Sequence, residues 1–272
     1  MKIIEWSQFL KEALPIEKKT SAITIGVFDG VHRGHRTLIE RIVAHNSSSI
    51  PVVITFRQSN FKKKHPDKQD ETGDITSFRQ KTAIFAELGV ALTVVVDFSQ
   101  SFSRLRGTDF LRLLLDQGKM SFLVVGSNFR CGYEMDTDAA AIQNFSSSCN
   151  LSVDIVQPIK EGERTINSSL IRTAIAQGML KDAAAMLARP YTLDLGGAAI
   201  KPSPVGTTSG DAYDISNLGR VLPPPGSYQV ILYGKKDGGD IKRHSEVLIN
   251  ERALICVNSA DCGSFWEYAE FV

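Results

Sequence analysis

Ile25-Gly26-Val27-Phe28-Asp29-Gly30-Val31-His32-Arg33-Gly34-His35 is an apolar run that breaks into glycines and histidines and then resumes with helical spacing. Upstream, Ala22 to Val27 is short and almost wholly apolar, the pattern of a strand covered on both faces. Downstream, Gly34 to Ala44 carries the periodicity of a helix. Glycine at 30 and 34 suits a tight strand-to-helix turn where backbone approaches a ligand, because no Cβ stands in the way. A helix starting near Gly34 aims free N–H groups and the positive end of its dipole at the strand's end, which makes an anion site. His32 and His35, three residues apart and bracketing the helix start, can both donate N–H groups to one anion. Such donors stabilise charge on phosphorus oxygens during phosphoryl transfer. A single histidine at a helix start is usually a cap or a satisfied polar contact; a pair in His-x-Gly-His after a strand weakens that reading. Zinc ligation by the pair would need a third ligand, and none stands near in sequence.

The same grammar continues outward. Strand candidates at Pro51 to Phe56, Ala91 to Asp97, Phe122 to Gly126 and Ser152 to Gln157 alternate with helix candidates at Ser77 to Leu88, Thr108 to Gln117, Thr137 to Ser147 and Ser168 to Gln177. Strand, helix, strand at this spacing predicts a parallel sheet with right-handed crossovers. Ligands of such sheets bind at the carboxyl ends of the strands, where the opening stretch lies. A second constellation, Thr165-Ile166-Asn167-Ser168-Ser169-Leu170-Ile171-Arg172, sets serines as N-caps before an apolar-periodic segment, with an arginine one turn in that can reach an anion or a surface carboxylate.

Residues 57 to 75 break the pattern: Arg57, Lys62, Lys63, Lys64, His65 and Lys68 stand among polar residues. They read as a solvated basic loop or as a flap over a phosphate-bearing substrate. Beyond Arg189-Pro190 the chain turns rich in glycine, proline, serine and threonine. Apolar alternation then returns at Tyr228 to Tyr233, Glu246 to Ile249 and Ala253 to Val257, which predicts a small C-terminal β domain.

Bulk composition excludes several classes. With 272 residues, 43% hydrophobic and 22% charged, the chain is an ordinary globular protein of one or two domains. A formal charge of +1 offers no whole-protein field for nucleic acid or an anionic membrane, so an anionic ligand must be held locally. Cys131, Cys149, Cys256 and Cys262 form no CxxC pair, which argues against zinc and against a disulfide framework. Cys131 reads as a small buried hydrophobe. With no signal-peptide core and no apolar run of membrane-spanning length, the expected setting is cytoplasmic.

Taken together, the motifs resemble the prokaryotic bifunctional riboflavin kinase/FAD synthetase family. The family's G-x-F-D-G-x-H-x-G-H is matched by Gly26, Phe28, Asp29, Gly30, His32, Gly34 and His35. Its G-x-[DN]-F-x-F-G is similar to Gly126-Ser127-Asn128-Phe129-Arg130-Cys131-Gly132, with Cys131 in place of a phenylalanine, and its S-S-[ST]-x-I-R to Asn167 through Arg172. Phe98 to Phe110 and Leu187 to Tyr191 also look like the family, and the resemblance covers about residues 20 to 192.

The resemblance implies a nucleotidyltransferase-type, Rossmann-like α/β domain over residues 1–188, followed by a smaller β-barrel-like domain over 189–272. It implies that FMN and Mg²⁺-ATP react to FAD and pyrophosphate, with no nucleic-acid or membrane partner. His32 and His35 would stabilise the α-phosphate and departing pyrophosphate, Asn128 would hold the ATP moiety, and Ser168, Ser169 and Arg172 the β- and γ-phosphates. Asp29 would hold the turn together. No protein metal ligand is expected.

Two departures qualify it. The family's T-F-x-P-H-P is replaced by Thr55-Phe56-Arg57-Gln58-Ser59-Asn60, on the flavin side. The kinase signature G-x-P-T-A-N has as its nearest counterpart Asp214-Ile215-Ser216-Asn217-Leu218, and isoleucine has no oxygen with which to hold magnesium. With the chain ending at Val272, the expectation is a β domain without riboflavin kinase activity. A catalytically inactive flavin or nucleotide binder, and a nucleotidyltransferase for another phosphate such as a phosphopantetheine or polyol phosphate, are the alternatives.

Overall fold

The structure, a computed structural model, describes residues 1–12, 20–57, 73–97, 102, 104–202, 211–257 and 265–272. The basic segment from Gln58 to Glu71, with Lys62 to Lys64, His65 and Lys68, and likewise Cys262, lie outside the described residues. The chain forms two compact units, one of Met1–Pro66 with Lys81–Ile166 and the other of Asp67–Gln80 with Asn167–Val272.

In the first unit the strands β1 (Lys2–Glu5), β2 (Thr20–Ile25), β3 (Ser49–Phe56), β4 (Leu92–Val96), β5 (Met120–Gly126) and β8 (Ser152–Val156) make a six-stranded sheet in the order β1-β4-β3-β2-β5-β8. Every pairing is parallel, as the alternation of strand and helix predicts. The helices are α1 (Trp6–Lys11), α2 (Arg33–Ala44), α3 (Phe78–Glu87, of which Lys81 onward belongs to this unit), α4 (Gly107–Asp116) and α5 (Ala139–Cys149). Successive side chains of β2 alternate between two cores: Ala22 packs with Ile39, Ile42 and Phe85, whereas Ile23 and Ile25 pack with Leu111, Leu114 and Leu123. Both faces are therefore covered, which is why these strands read as unbroken apolar runs. The order reverses beside β2, with β3 and β4 to one side and β5 and β8 to the other. The carboxyl ends of β2 and β5 thus flank the crevice where open α/β sheets take ligands.

Several elements differ from the sequence reading. β1 and α1 went unforeseen, because a four-residue edge strand is too short to declare a period; Ile4, Trp6 and Phe9 anchor them in the core. The helix expected from Thr137 begins at Ala139, since Asp138 caps it by accepting the Ala141 N–H at 3.0 Å while Thr137 belongs to a short strand, β7 (Thr137–Asp138). β7 pairs antiparallel with β6 (Arg130–Cys131), and β9 (Lys160–Glu161) with β10 (Arg164–Thr165).

The second unit carries α6 (Ser168–Ala176), α7 (Leu180–Leu187) and the strands β11 (Thr192–Asp194), β12 (Ala199–Pro202), β13 (Asp211–Asp214), β14 (Gly226–Lys236), β15 (Gly239–Ile249), β16 (Ala253–Cys256) and β17 (Phe265–Phe271). The strands form one antiparallel sheet in the order β11-β17-β14-β15-β16-β13-β12, curled into a half-barrel. Tyr213, Val230, Leu232, Leu254, Trp266 and Ala269 fill its interior. Ile215 is one of these core groups, 2% exposed, with its N–H bonded to the Arg252 carbonyl at 2.8 Å.

Candidate active site

The turn after β2 is strained where the sequence turns irregular. Phe28 adopts φ 53°, Gly30 φ 80° and Val31 φ 41° around a short 3₁₀ turn at Asp29–Val31. Gly30 takes its conformation freely, but a left-handed phenylalanine and valine each cost on the order of 1–3 kcal/mol, so the surroundings must hold them. They do so by burial: Phe28 is 1% exposed, packed edge-on to Phe85 at 5.6 Å and to His35 at 5.2 Å, and Val31 and Asp29 are buried too.

Helix α2 starts at Arg33 rather than Gly34, because His32 is its N-cap: the His32 Nδ1 accepts the backbone N–H of His35 at 3.4 Å. This contact puts the proton of a neutral His32 ring on Nε2. The two imidazoles stack with centroids 3.6 Å apart and planes 20° apart. Gly34 permits the stack, since a Cβ there would stand 3.2 Å from His32 Cε1 and 3.3 Å from its Nδ1. The Nδ1 of His35 is enclosed with no hydrogen-bond partner. Burial first, then the fields of His32 and Lys81, hold the His35 pKa well below the ordinary imidazole value. His35 is thus held toward its neutral form, with one buried ring nitrogen unsatisfied, beside a positive helix end. An arriving polyphosphate would satisfy it.

The same turn lines a cleft. Ile25, Gly26 and Val27 from the end of β2 join Phe56 at the end of β3, Asn128 to Gly132 after β5, and Phe102, Leu105 and Phe110 around α4, enclosing about 540 Å³. Gly26 is tied by its N–H to the Ile54 carbonyl at 3.1 Å, and the turn carrying Asn128 is closed by Phe129 N–H to Gly126 O at 2.9 Å. Glu134 and Met135 complete the mouth. The hairpin bearing them is pinned by Asp136, whose Oδ1 accepts the Gly107 N–H at 3.0 Å and the Thr137 hydroxyl at 2.9 Å. Those bonds, the Gly107 one foremost, hold the Asp136 carboxyl below the usual range. Burial pushes the Cys131 thiol up to about 12, so this cleft residue behaves as the small hydrophobe expected. Sequence reasoning put forward Gly26 and Asn128 as site residues, and both line the cleft. It missed Phe102, Leu105, Phe110 and Met135 as lining groups, because apolar residues near a helix carry no mark that separates cleft from core.

Of the remaining expected residues, Ser168, Ser169 and Arg172 fall in the second unit. The serines do not cap α6: Asn167 does, accepting the Leu170 N–H on its Oδ1 at 2.8 Å, so Ser168 and Ser169 are the first two helical residues. Arg172 donates its Nε–H to the Gly73 carbonyl at 3.1 Å. Among the described residues no three His, Cys, Asp or Glu groups gather as a metal centre, and no helix is long and apolar enough to cross a membrane.

A doubly covered parallel sheet with a histidine-bearing helix start at its switch point defines a nucleotide-handling α/β class. Residues 14–170 match the family described as FAD synthetase, and the chain belongs to that family. It is 29% identical over 238 residues to a bifunctional riboflavin kinase/FMN adenylyltransferase of Escherichia coli strain K12, covering 86% of this chain and 74% of that one. Against an FAD synthetase of Listeria monocytogenes it is 26% identical over 181 residues, 64% of this chain and 71% of the relative. A crystal structure of a Streptococcus pneumoniae protein described as a macrolide-efflux protein superposes with a TM-score of 0.80 at 20% identity, covering 100% of this chain and 90% of that one, a likeness of fold.

Proposed function

We propose that the protein is an FMN adenylyltransferase that makes FAD and pyrophosphate from FMN and ATP, without riboflavin kinase activity. One observation carries the reading. A single strained turn bears the stacked histidine pair, with its orphaned buried Nδ1, and also lines a cleft walled by Phe56, Phe102, Phe110 and Phe129. A flat aromatic ring system with a phosphate tail needs this combination of apolar wall and anion-binding helix end.

In the reaction an oxygen of the FMN phosphate bonds to the α-phosphorus of ATP as the bond to pyrophosphate breaks, with no covalent enzyme intermediate. Mg²⁺ enters as part of the nucleotide substrate, held by its phosphates. His32 donates from Nε2, and His35 supplies its imidazole N–H, to the oxygens on which charge accumulates. Asn128 orients the nucleotide at the cleft. The roles that the resemblance gives Ser168, Ser169 and Arg172 on the β- and γ-phosphates belong to this reading as well, as does a functional boundary near residue 188. Loss of kinase activity is supported by Ile215, an apolar core side chain where the kinase signature has a hydroxyl.

The test is a chromatographic assay of purified protein with Mg²⁺-ATP and either FMN or riboflavin. FAD from FMN and no product from riboflavin is the expected result. FMN made from riboflavin would overturn the kinase part, and no FAD from FMN would overturn the activity.

A further inference from the structure

Lys81 lies on α3 and is only 6% exposed. Lysine is among the residues least often fully buried, and an ammonium removed from water needs compensating acceptors. It has them: Nζ donates to the Val27 carbonyl at 3.0 Å and to the Phe56 carbonyl at 2.8 Å. Val27 follows β2 and Phe56 ends β3, and both line the cleft. The Val27 carbonyl also accepts the Thr55 hydroxyl at 3.3 Å, which concentrates the ties on that one peptide group.

We propose that Lys81 is a positioning residue, clamping the two strand ends that frame the cleft and setting a fixed positive charge that acts on the histidine pair. The inference rests on the reading of this site as the place of adenylyl transfer. Two carbonyl oxygens from adjacent strand termini converge on one ammonium, which ties both by charge-assisted hydrogen bonds. A leucine at this position would remove the one donor that the two carbonyls share. A surface lysine would not constrain them.

The clamp has an electrical consequence for His35. The charged or titratable groups acting on it are His32, from the turn before α2, and Lys81, from α3, and both disfavour a charged His35 ring. Lys81 thereby adds to burial and His32 in holding His35 toward its neutral form until a polyphosphate supplies compensating negative charge.

The experiment uses the full chain, labelled on histidine, with the imidazole resonances followed against pH in the absence of nucleotide. In Lys81→Met the His35 midpoint should move upward. Lys81→Gln, which keeps amide N–H donors but no charge, should move His35 the same way and retain more of the cleft. Adenylyl transfer, measured in parallel, should fall about tenfold or more in kcat for Lys81→Met with a smaller change in the KM for ATP. An unmoved His35 midpoint in folded Lys81→Met or Lys81→Gln overturns the proposal. In the wild-type protein the Lys81 ammonium should give a slowly exchanging ¹⁵N–H₃ resonance above neutral pH, and a fast-exchanging solvent-like signal would overturn it without any variant. If wild-type protein makes no FAD yet the His35 midpoint moves, the activity assignment fails and the placement of Lys81 stands.

Discussion

Two buried polar groups, Asp194 in the second unit and His35 in the first, are treated in opposite ways. In the second unit Asp194, 5% exposed, is met from every side: the Ser77 hydroxyl donates to it, Arg79 approaches with Nη2 at 2.6 Å, and the Gly196 N–H donates at 2.8 Å. Arg79 goes on to Glu267 at 3.3 Å and lies over the Tyr268 ring at 4.3 Å. In the first unit, His35 Nδ1 and Thr24 Oγ1 are buried with no hydrogen-bond partner, and the neighbouring turn holds two side chains at positive φ. A satisfied network fixes a fold, whereas an unsatisfied group beside backbone strain marks where a ligand is awaited. The contrast separates the part of the sequence that stabilises from the part that reacts.

The sharpest way to break that contrast is to remove the groups on each side. His32→Ala or His35→Ala should lower FAD formation about a hundredfold or more, roughly 2.7 kcal/mol of transition-state stabilisation, while the melting temperature changes little. A steady-state assay beside a thermal melt checks it, and a rate within threefold of wild type (about 0.7 kcal/mol) would show the pair to be mere capping. Asp194→Ala should do the reverse, costing about 2 kcal/mol of stability in urea titration because Ser77, Arg79 and the Gly196 N–H lose their common acceptor. Gly34→Ala sharpens the comparison, since its methyl would press on the His32 ring; we expect about a tenfold loss of turnover with the fold retained.

Acid should expose the His35 environment. Above its ordinary value of 6.5 the imidazole is neutral in folded and unfolded chains alike, so stability there is undiminished. As pH falls from 6.5 toward the lowered native value, the unfolded chain takes up a proton that the folded chain refuses, and stability drops. Melting curves at about pH 7.5 and about pH 5.5 should therefore differ less in His35→Gln than in wild type. The smallest effect concerns Cys131: with its thiol pushed up to about 12 it should resist alkylation at mildly alkaline pH in the native protein, read by peptide mass spectrometry.

How much of this was legible in the sequence varied with the physics. The four interior strands β2 to β5 and their parallel pairing could be read because strands buried on both faces are largely unbroken apolar runs, and the edge strand β8 was found with them. His32, His35 and Gly34 stood out because their chemistry and spacing are rare beside a strand. The capping of α6 was misassigned among Asn167, Ser168 and Ser169, since all three are good caps and only backbone conformation separates them: Asn167 is extended, with φ −151° and ψ 164°. β17 went unread although it pairs with both β11 and β14; its Phe-Trp-Glu-Tyr-Ala-Glu-Phe lacks a clean period of two. Lys81 looked like any helix-face lysine, because its acceptors are backbone carbonyls distant in sequence and leave no compositional trace.

The register of β2 against β5 has a consequence for how the molecule comes into being. Those strands pair Ile23 with Leu123 and Thr24 with Val124, and the Ser121 hydroxyl reaches the Ser21 carbonyl from 100 residues away. The histidine turn can therefore emerge from the ribosome long before the strand that completes its cleft, and closing so long a loop is a slow, non-local event. A nascent chain halted before β5 would own both histidines and Phe56, Phe102 and Phe110, but not the Asn128 to Gly132 side of the cleft. Nucleotide capture would then serve as a timestamp, reporting the moment the two halves of the sheet have met.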